Sequence, residues 1–150
     1  MSTFDPQSFL NATITEPTTK RSALPAQEYI GVVSDINAKS GSKEGKDWYA
    51  LEVTLALEIP GDIRAALGLA TGTLKVKDNV FLDVTASGGI DAAPGKNGKL
   101  GMYRKALGLN NVGDSFSPAQ MVGQTLLVKI KHDIYQDQIQ EKVAAVAKLA

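Results

Sequence analysis

The sequence predicts a mainly β domain of five strands with a single helix between the third and the fourth. Alternation is the first observation behind this. In Asp47–Glu58 (DWYALEVTLALE), Tyr49, Leu51, Val53, Leu55 and Leu57 fall on one phase. Trp48, Ala50, Glu52, Thr54, Ala56 and Glu58 fall on the other. A period of two belongs to a strand with one face in a core and the other toward solvent. The second observation is punctuation, because Gly-, Pro- and Ser-rich stretches separate the remaining apolar runs. The third is that Leu100–Leu109 (LGMYRKALGL) changes to a helical period.

Residues 1–27 read as an N-terminal arm, with Pro6, Pro17 and Pro25 and no sustained periodicity. Its Phe4, Phe9, Leu10 and Ile14 are apolar enough to dock, either on the arm's own domain or on a neighbouring subunit in a homo-oligomer. Residues 28–150 form the domain. Glu28–Ala38 is the first strand, with Ile30, Val32 and Ile36 on one phase and Gly31 marking a bend or bulge. Asn37–Asp47 reads as a mobile hairpin tip leading into the strand already described. In Ile59–Gly72, Asp62 caps a short helical turn through Leu67. Thr73–Thr85 is the third strand, kinked or split where Asp78 falls on its apolar phase.

Ala86–Lys99 is a glycine-rich loop, and Leu100–Leu109 is the helix, ended by Gly108. Ser117–Met121 adds a turn with Pro118 at its first position. Gln124–His132 is the fourth strand, Asp133–Asp137 a turn with Tyr135 at its tip, and Gln138–Ala147 the fifth strand. This order is that of an OB-fold barrel, in which Gly31 lets the first strand bend and pair in both halves. A split sheet packed on one helix is the competing architecture.

Composition removes several function classes. At 150 residues, 43% hydrophobic and 21% charged, the chain has the make-up of a globular domain with a real core. It has no cysteine, so disulfides, thiolate metal sites and thiol catalysis are excluded. No apolar run is long enough to span a bilayer, and Met1–Leu10 lacks the pattern of a signal peptide. The expectation is a soluble, cytoplasmic protein without a membrane partner. His132, the one histidine, has no nucleophile or orienting carboxylate at a recognisable spacing. Gly89–Asn97 resembles a phosphate loop only loosely, being one residue too long and carrying Asn97 where a hydroxyl would hold magnesium. No carboxylate cluster has metal-ligand spacing, and no cofactor is implied.

What remains is a distribution of bases and aromatics. Lys75, Lys77 and Phe81 share the outward phase of the third strand. Trp48 is outward on the second, just beyond Lys39, Lys43 and Lys46. Lys129 and Lys131 are outward on the fourth, and Tyr135 lies near its end. Single-stranded nucleic acid needs cations along its phosphates and flat rings under its bases. With zero net charge, such binding has to rest on a local groove. A large ring on a polar phase calls for a partner more than any single lysine does.

The runs VFLDVTASGGIDAAPGKNGKLGMYRKALGLN and FSPAQMVGQTLLVKIKH resemble small single-stranded-DNA-binding proteins from the replication modules of tailed bacteriophages. The opening FDPQSFLNATITEPTTKRSALPAQEYIGVV is similar in style. The resemblance implies an OB fold, sequence-independent binding of single strands, and protection of DNA during phage replication or recombination in the host cytoplasm. Replication or recombination proteins are then further partners. The binding face is carried over; an acidic recruiting tail is not, since the chain ends EKVAAVAKLA. The expected function is therefore non-enzymatic. The rivals are an interaction or assembly module built on Trp48 and Phe81, and a small hydrolase using carboxylates.

Overall fold

The alternating stretch is a strand, and the rest of the sheet is laid around it. The computed structural model describes residues 4–17, 21–113 and 115–149. In order it contains helix α1 (Pro6–Asn11), strands β1 (Glu28–Lys43) and β2 (Lys46–Glu58), helix α2 (Gly61–Leu67) and strand β3 (Thr73–Phe81). Helix α3 (Gly98–Ala106), a 3-10 turn (Pro118–Met121) and strands β4 (Thr125–Tyr135) and β5 (Gln138–Ala147) follow. The five strands form one antiparallel sheet in the order β3-β2-β1-β4-β5. β3 and β5, its two edges, approach one another, but no ladder joins them among the described residues. The mainly β class and the helix between β3 and β4 are as expected; the sheet is open rather than a closed barrel.

Leu51, Val53, Leu55 and Leu57 of β2 are buried together with Val80, Leu126, Val128 and Ile130, and α3 adds Leu100 and Tyr103. On β1 the expected phase is wrong at its start. Tyr29 and Val33 are buried, while Ile30 is exposed. A bulge between Val33 and Asp35 then reverses the alternation, so Ile36 turns back to the core. An extra residue in one strand shifts its side chains to the opposite face. Gly31 is not the bulge. It pairs with Leu57 on one side and Leu126 on the other. A Cβ there would lie 2.9 Å from Val128 Cγ2 and 3.1 Å from Leu57 Cδ2.

Several boundaries differ for local reasons. The expected loop over 37–47 is almost all strand. The ladder runs to Lys43↔Lys46, and only Glu44 and Gly45 turn, with φ of 54° and 76°. Two left-handed residues give the turn whose twist matches a hairpin. The second hairpin does the same at Gln136 and Asp137, so β4 continues to Tyr135 and the expected turn over 133–137 shortens to two residues. Asp62 lies inside α2 instead of capping it, because Pro60 holds the cap position. α3 ends at Ala106, with left-handed Gly108 after it and Leu109 N donating to Arg104 O at 2.7 Å.

β3 is neither kinked nor split at Asp78. The side chain stays on the buried phase because α3 supplies its partners. Tyr103 Oη donates to Asp78 Oδ2 at 2.6 Å and Lys99 Nζ to Oδ1 at 2.7 Å; Lys99 also reaches the Asn79 carbonyl at 3.0 Å. A buried carboxylate is tolerated when both oxygens are bonded. Burial, and then the adjacent Asp78 carboxylate, holds the Tyr103 phenol well above its ordinary pKa.

The arm's last residues are seated on the domain. Leu24 is fully buried, Tyr29 Oη donates to Pro25 O at 2.8 Å, and His132 Nε2 lies 2.7 Å from Leu24 O. Arg21 pairs with Glu141. Nearer the N-terminus the arm is apolar and uncovered, with Phe4, Phe9, Leu10 and Ile14 all exposed and the Phe4 and Phe9 rings 4.8 Å apart.

Candidate nucleic-acid interface

The register of β1, β2 and β3 determines which side chains share the outer face. Ladder partners stand on the same face, and the phase alternates along each strand. From the first hairpin tip inward, the outer rows are Lys43 with Lys46, then Gly41 with Trp48, then Lys39 with Ala50 and Phe81. Asn37 with Glu52 and Asn79 comes next, then Asp35 with Thr54 and Lys77, then Ala56 with Lys75. Seven of the expected residues, Lys39, Lys43, Lys46, Trp48, Lys75, Lys77 and Phe81, therefore lie on one face.

Trp48 and Phe81 meet as one aromatic unit rather than as two separate platforms. Their centroids are 5.8 Å apart and the rings are tilted by 71°, an edge-to-face pair. Trp48 is half-buried because its indole lies over Gly41, where a Cβ would come within 2.5 Å of Cζ2. Phe81 is 60% exposed, while Ala50, its partner in the ladder, is buried. Gly41 is thus a seat for the indole. Gly41→Ala is expected to lift Trp48 off the strand and shift its emission toward that of exposed indole. A spectrum identical to that of the unchanged protein would mean the ring does not rest there.

Charge on this face is less free than the lysine count implies. Glu52 places Oε2 3.2 Å from Lys39 Nζ and Oε1 3.4 Å from Lys77 Nζ. Its carboxyl is held below the usual range by the hydrogen bond from Lys39 and then by that from Lys77. Glu52 was legible as an outward residue, but its two partners come from different strands and needed the register.

The other three expected residues are elsewhere. Lys129 stands opposite Glu28, at the far end of β1 from Gly41, and Lys131 stands opposite Lys142. Tyr135 is exposed at the end of β4, paired with Gln138 and not at the tip. They are not brought together with the Trp48–Phe81 face. The β4–β5 hairpin instead carries an exposed cross-strand pair, Ile134 and Ile139, beside a groove of about 920 Å³ lined by Arg21, His132 and Glu141.

The glycine-rich loop is held by Asn97 and does not take the form of a phosphate cradle. Asn97, at φ 53°, accepts from Asp83 N at 2.8 Å and donates through Nδ2 to the carbonyls of Asp83 and Asp91. Its own backbone N–H reaches Asp83 Oδ2 at 2.9 Å. The amide gives one acceptor and two donor hydrogens, whereas a hydroxyl has a single donor hydrogen and could not serve both carbonyls. Arg104 lies over the Phe116 ring at 4.3 Å. Among the described residues, no group of three His, Cys, Asp or Glu side chains is placed to hold a metal ion, and no helix is long and apolar enough to cross a membrane. No family model matches the chain, and no curated protein matches it.

Proposed function

We propose that this chain binds single-stranded DNA without sequence preference and coats strands during phage DNA replication or recombination in the host cytoplasm. The observation that carries the reading is the outer face of β1–β2–β3. A partly exposed aromatic pair lies there between the Lys43–Lys46 tip and the Lys75–Lys77 stretch. Rings in line with cations suit a chain of stacked bases with phosphates at regular intervals. The strand order, with β3 and β5 as neighbouring edges, supports an OB-type sheet that is only partly closed. Duplex DNA hides its base faces, so the same surface offers it cations alone.

Trp48 is the only tryptophan and lies in the proposed site, so its fluorescence is the natural probe. Titration with an oligothymidylate is expected to change its emission, while a duplex of equal length has a much weaker effect. Each phosphate met on a single strand contributes about −0.7 to the slope of log K against log salt. Contacts from Lys43, Lys46 and Lys75, with a partial share from Lys77, give a slope of about −2 to −3. Replacing Lys75 and Lys77 together is expected to make it shallower by about one unit. A slope near zero sinks the reading.

A second reading has its own support in the uncovered Phe4, Phe9, Leu10 and Ile14 of the arm and in Ile134, Tyr135 and Ile139. Apolar surface of this kind suits an assembly contact, including a homo-oligomer joined through the arm. It becomes the leading reading if the oligonucleotide titration is flat.

A further inference from the structure

We propose that Glu52 is a built-in competitor for phosphate, holding Lys39 and Lys77 in the free protein so that a DNA strand must displace it before either lysine contributes. The inference rests on the single-strand-binding reading above and adds a way in which that face is tuned.

The geometry is specific. Glu52 projects from the middle strand of the three and gives one carboxylate oxygen to each neighbour, Oε2 to Lys39 at 3.2 Å and Oε1 to Lys77 at 3.4 Å. Lys39 belongs to the row of Phe81, on one side of the Glu52 row; Lys77 belongs to the row on the other side. The carboxylate therefore sits where a strand leaving the aromatic pair toward Lys75 would place a phosphate. Lys77 is 66% exposed and Lys39 36%, so both ammonium groups are open to an incoming anion. A carboxylate and a phosphate compete for the same ammonium groups, and their like charges repel when both crowd the same lysines.

A fold-stabilising role alone accounts poorly for this arrangement. Pairs at this exposure contribute little to folding, yet this one carboxylate engages two of the five lysines on the face. Its effect is on the ligand. Affinity is lowered, release is faster, and fewer counterions are exchanged on binding. For a protein that coats strands and must leave them, each of these is useful.

The test compares the full chain with Glu52→Gln, Glu52→Ala and Glu58→Gln, titrating an oligothymidylate at several salt concentrations and following Trp48 emission. Glu58→Gln makes the same charge change at the exposed far end of β2, opposite Thr73. Both Glu52 variants are expected to bind about three- to tenfold more tightly than the unchanged protein. Their salt slope is expected to steepen by about 0.7 to 1.4, with faster release in the unchanged protein. Glu58→Gln is expected to behave as the unchanged protein does. Equal gains from Glu52→Gln and Glu58→Gln would reduce the effect to net charge and overturn the proposal. Weaker binding by the Glu52 variants would overturn it as well, making Glu52 a support for the lysines. If the unchanged protein fails to bind, the single-strand reading falls and this inference falls with it. Binding by the unchanged protein with unaltered Glu52 variants sinks the inference alone.

Discussion

Phe81→Ala is expected to weaken single-stranded DNA binding by about fivefold to a hundredfold, the range set by about 1–3 kcal/mol for one base stacked on one ring. Trp48→Ala is expected to fall in the same range, for a mixed reason. The indole offers less free surface, but it is the wall against which Phe81 is held at 5.8 Å. The two losses should therefore not add. A double variant only slightly worse than the weaker single one is the mark of a shared platform, since residues in contact couple. Full additivity would make the rings independent sites. Circular dichroism and urea unfolding separate these effects from loss of fold. Unchanged affinity in a folded Phe81→Ala protein would remove the ring from the interface.

The largest effect on stability is expected at Asp78. Asp78→Ala strips the buried Tyr103 hydroxyl of its acceptor and leaves a void between β3 and α3. The cost is about 2–4 kcal/mol, read as a lower urea midpoint. Lys99 lessens the loss, because its side chain is 40% exposed and can turn to water. Tyr103→Phe removes only the 2.6 Å bond and is expected to cost less. The same contact gives a dependence on alkali. The folded phenol lies above its unfolded pKa of about 10.0, so its contribution is complete below that pH and is lost as pH rises beyond it. Tyr103→Phe should flatten the fall in stability above about pH 10. An equally steep fall in that variant would place the alkaline dependence on another group.

The strands were legible wherever one face is buried and the other is wet. β2 alternates because Leu51, Val53, Leu55 and Leu57 enter the core, although Tyr49, on the same phase, is exposed near the hairpin end and Ala50 and Thr54 on the other phase are covered. The short elements around Pro118 and Gly108 follow from backbone chemistry that sits in the sequence itself. Failures cluster where a distant element decides. Asp78 looked like a defect in β3 until α3, more than twenty residues on, supplied Tyr103 and Lys99. The phase of β1 is not legible in sequence because its bulge falls at Ser34, a residue with no conformational signature, while Gly31 serves close packing instead. Glu44, Gln136 and Asp137 carry no marker of left-handed turns, so the sequence does not show how far both hairpin ladders extend.

The candidate site divides along the same line. Phase alone puts Trp48, Lys75, Lys77 and Phe81 on one outer surface, because that needs only alternation and neighbouring strands. Lys39, Lys43 and Lys46, expected on a loop, join that face through the long β1–β2 ladder. Phase could not place Lys129, Lys131 and Tyr135, whose distance from the aromatic pair depends on which end of β1 meets β4. Glu52, Gly41 and Asn97 were missed for a related reason. Each acts through a partner that sequence spacing does not put beside it.

Gly31 has a mechanical consequence. It is held in both ladders of β1, with the Val128 and Leu57 side chains closing over the space a Cβ would fill. The point where β1 pairs with both β2 and β4 is therefore packed from both sides, and any side chain placed there would have to push Val128 and Leu57 aside.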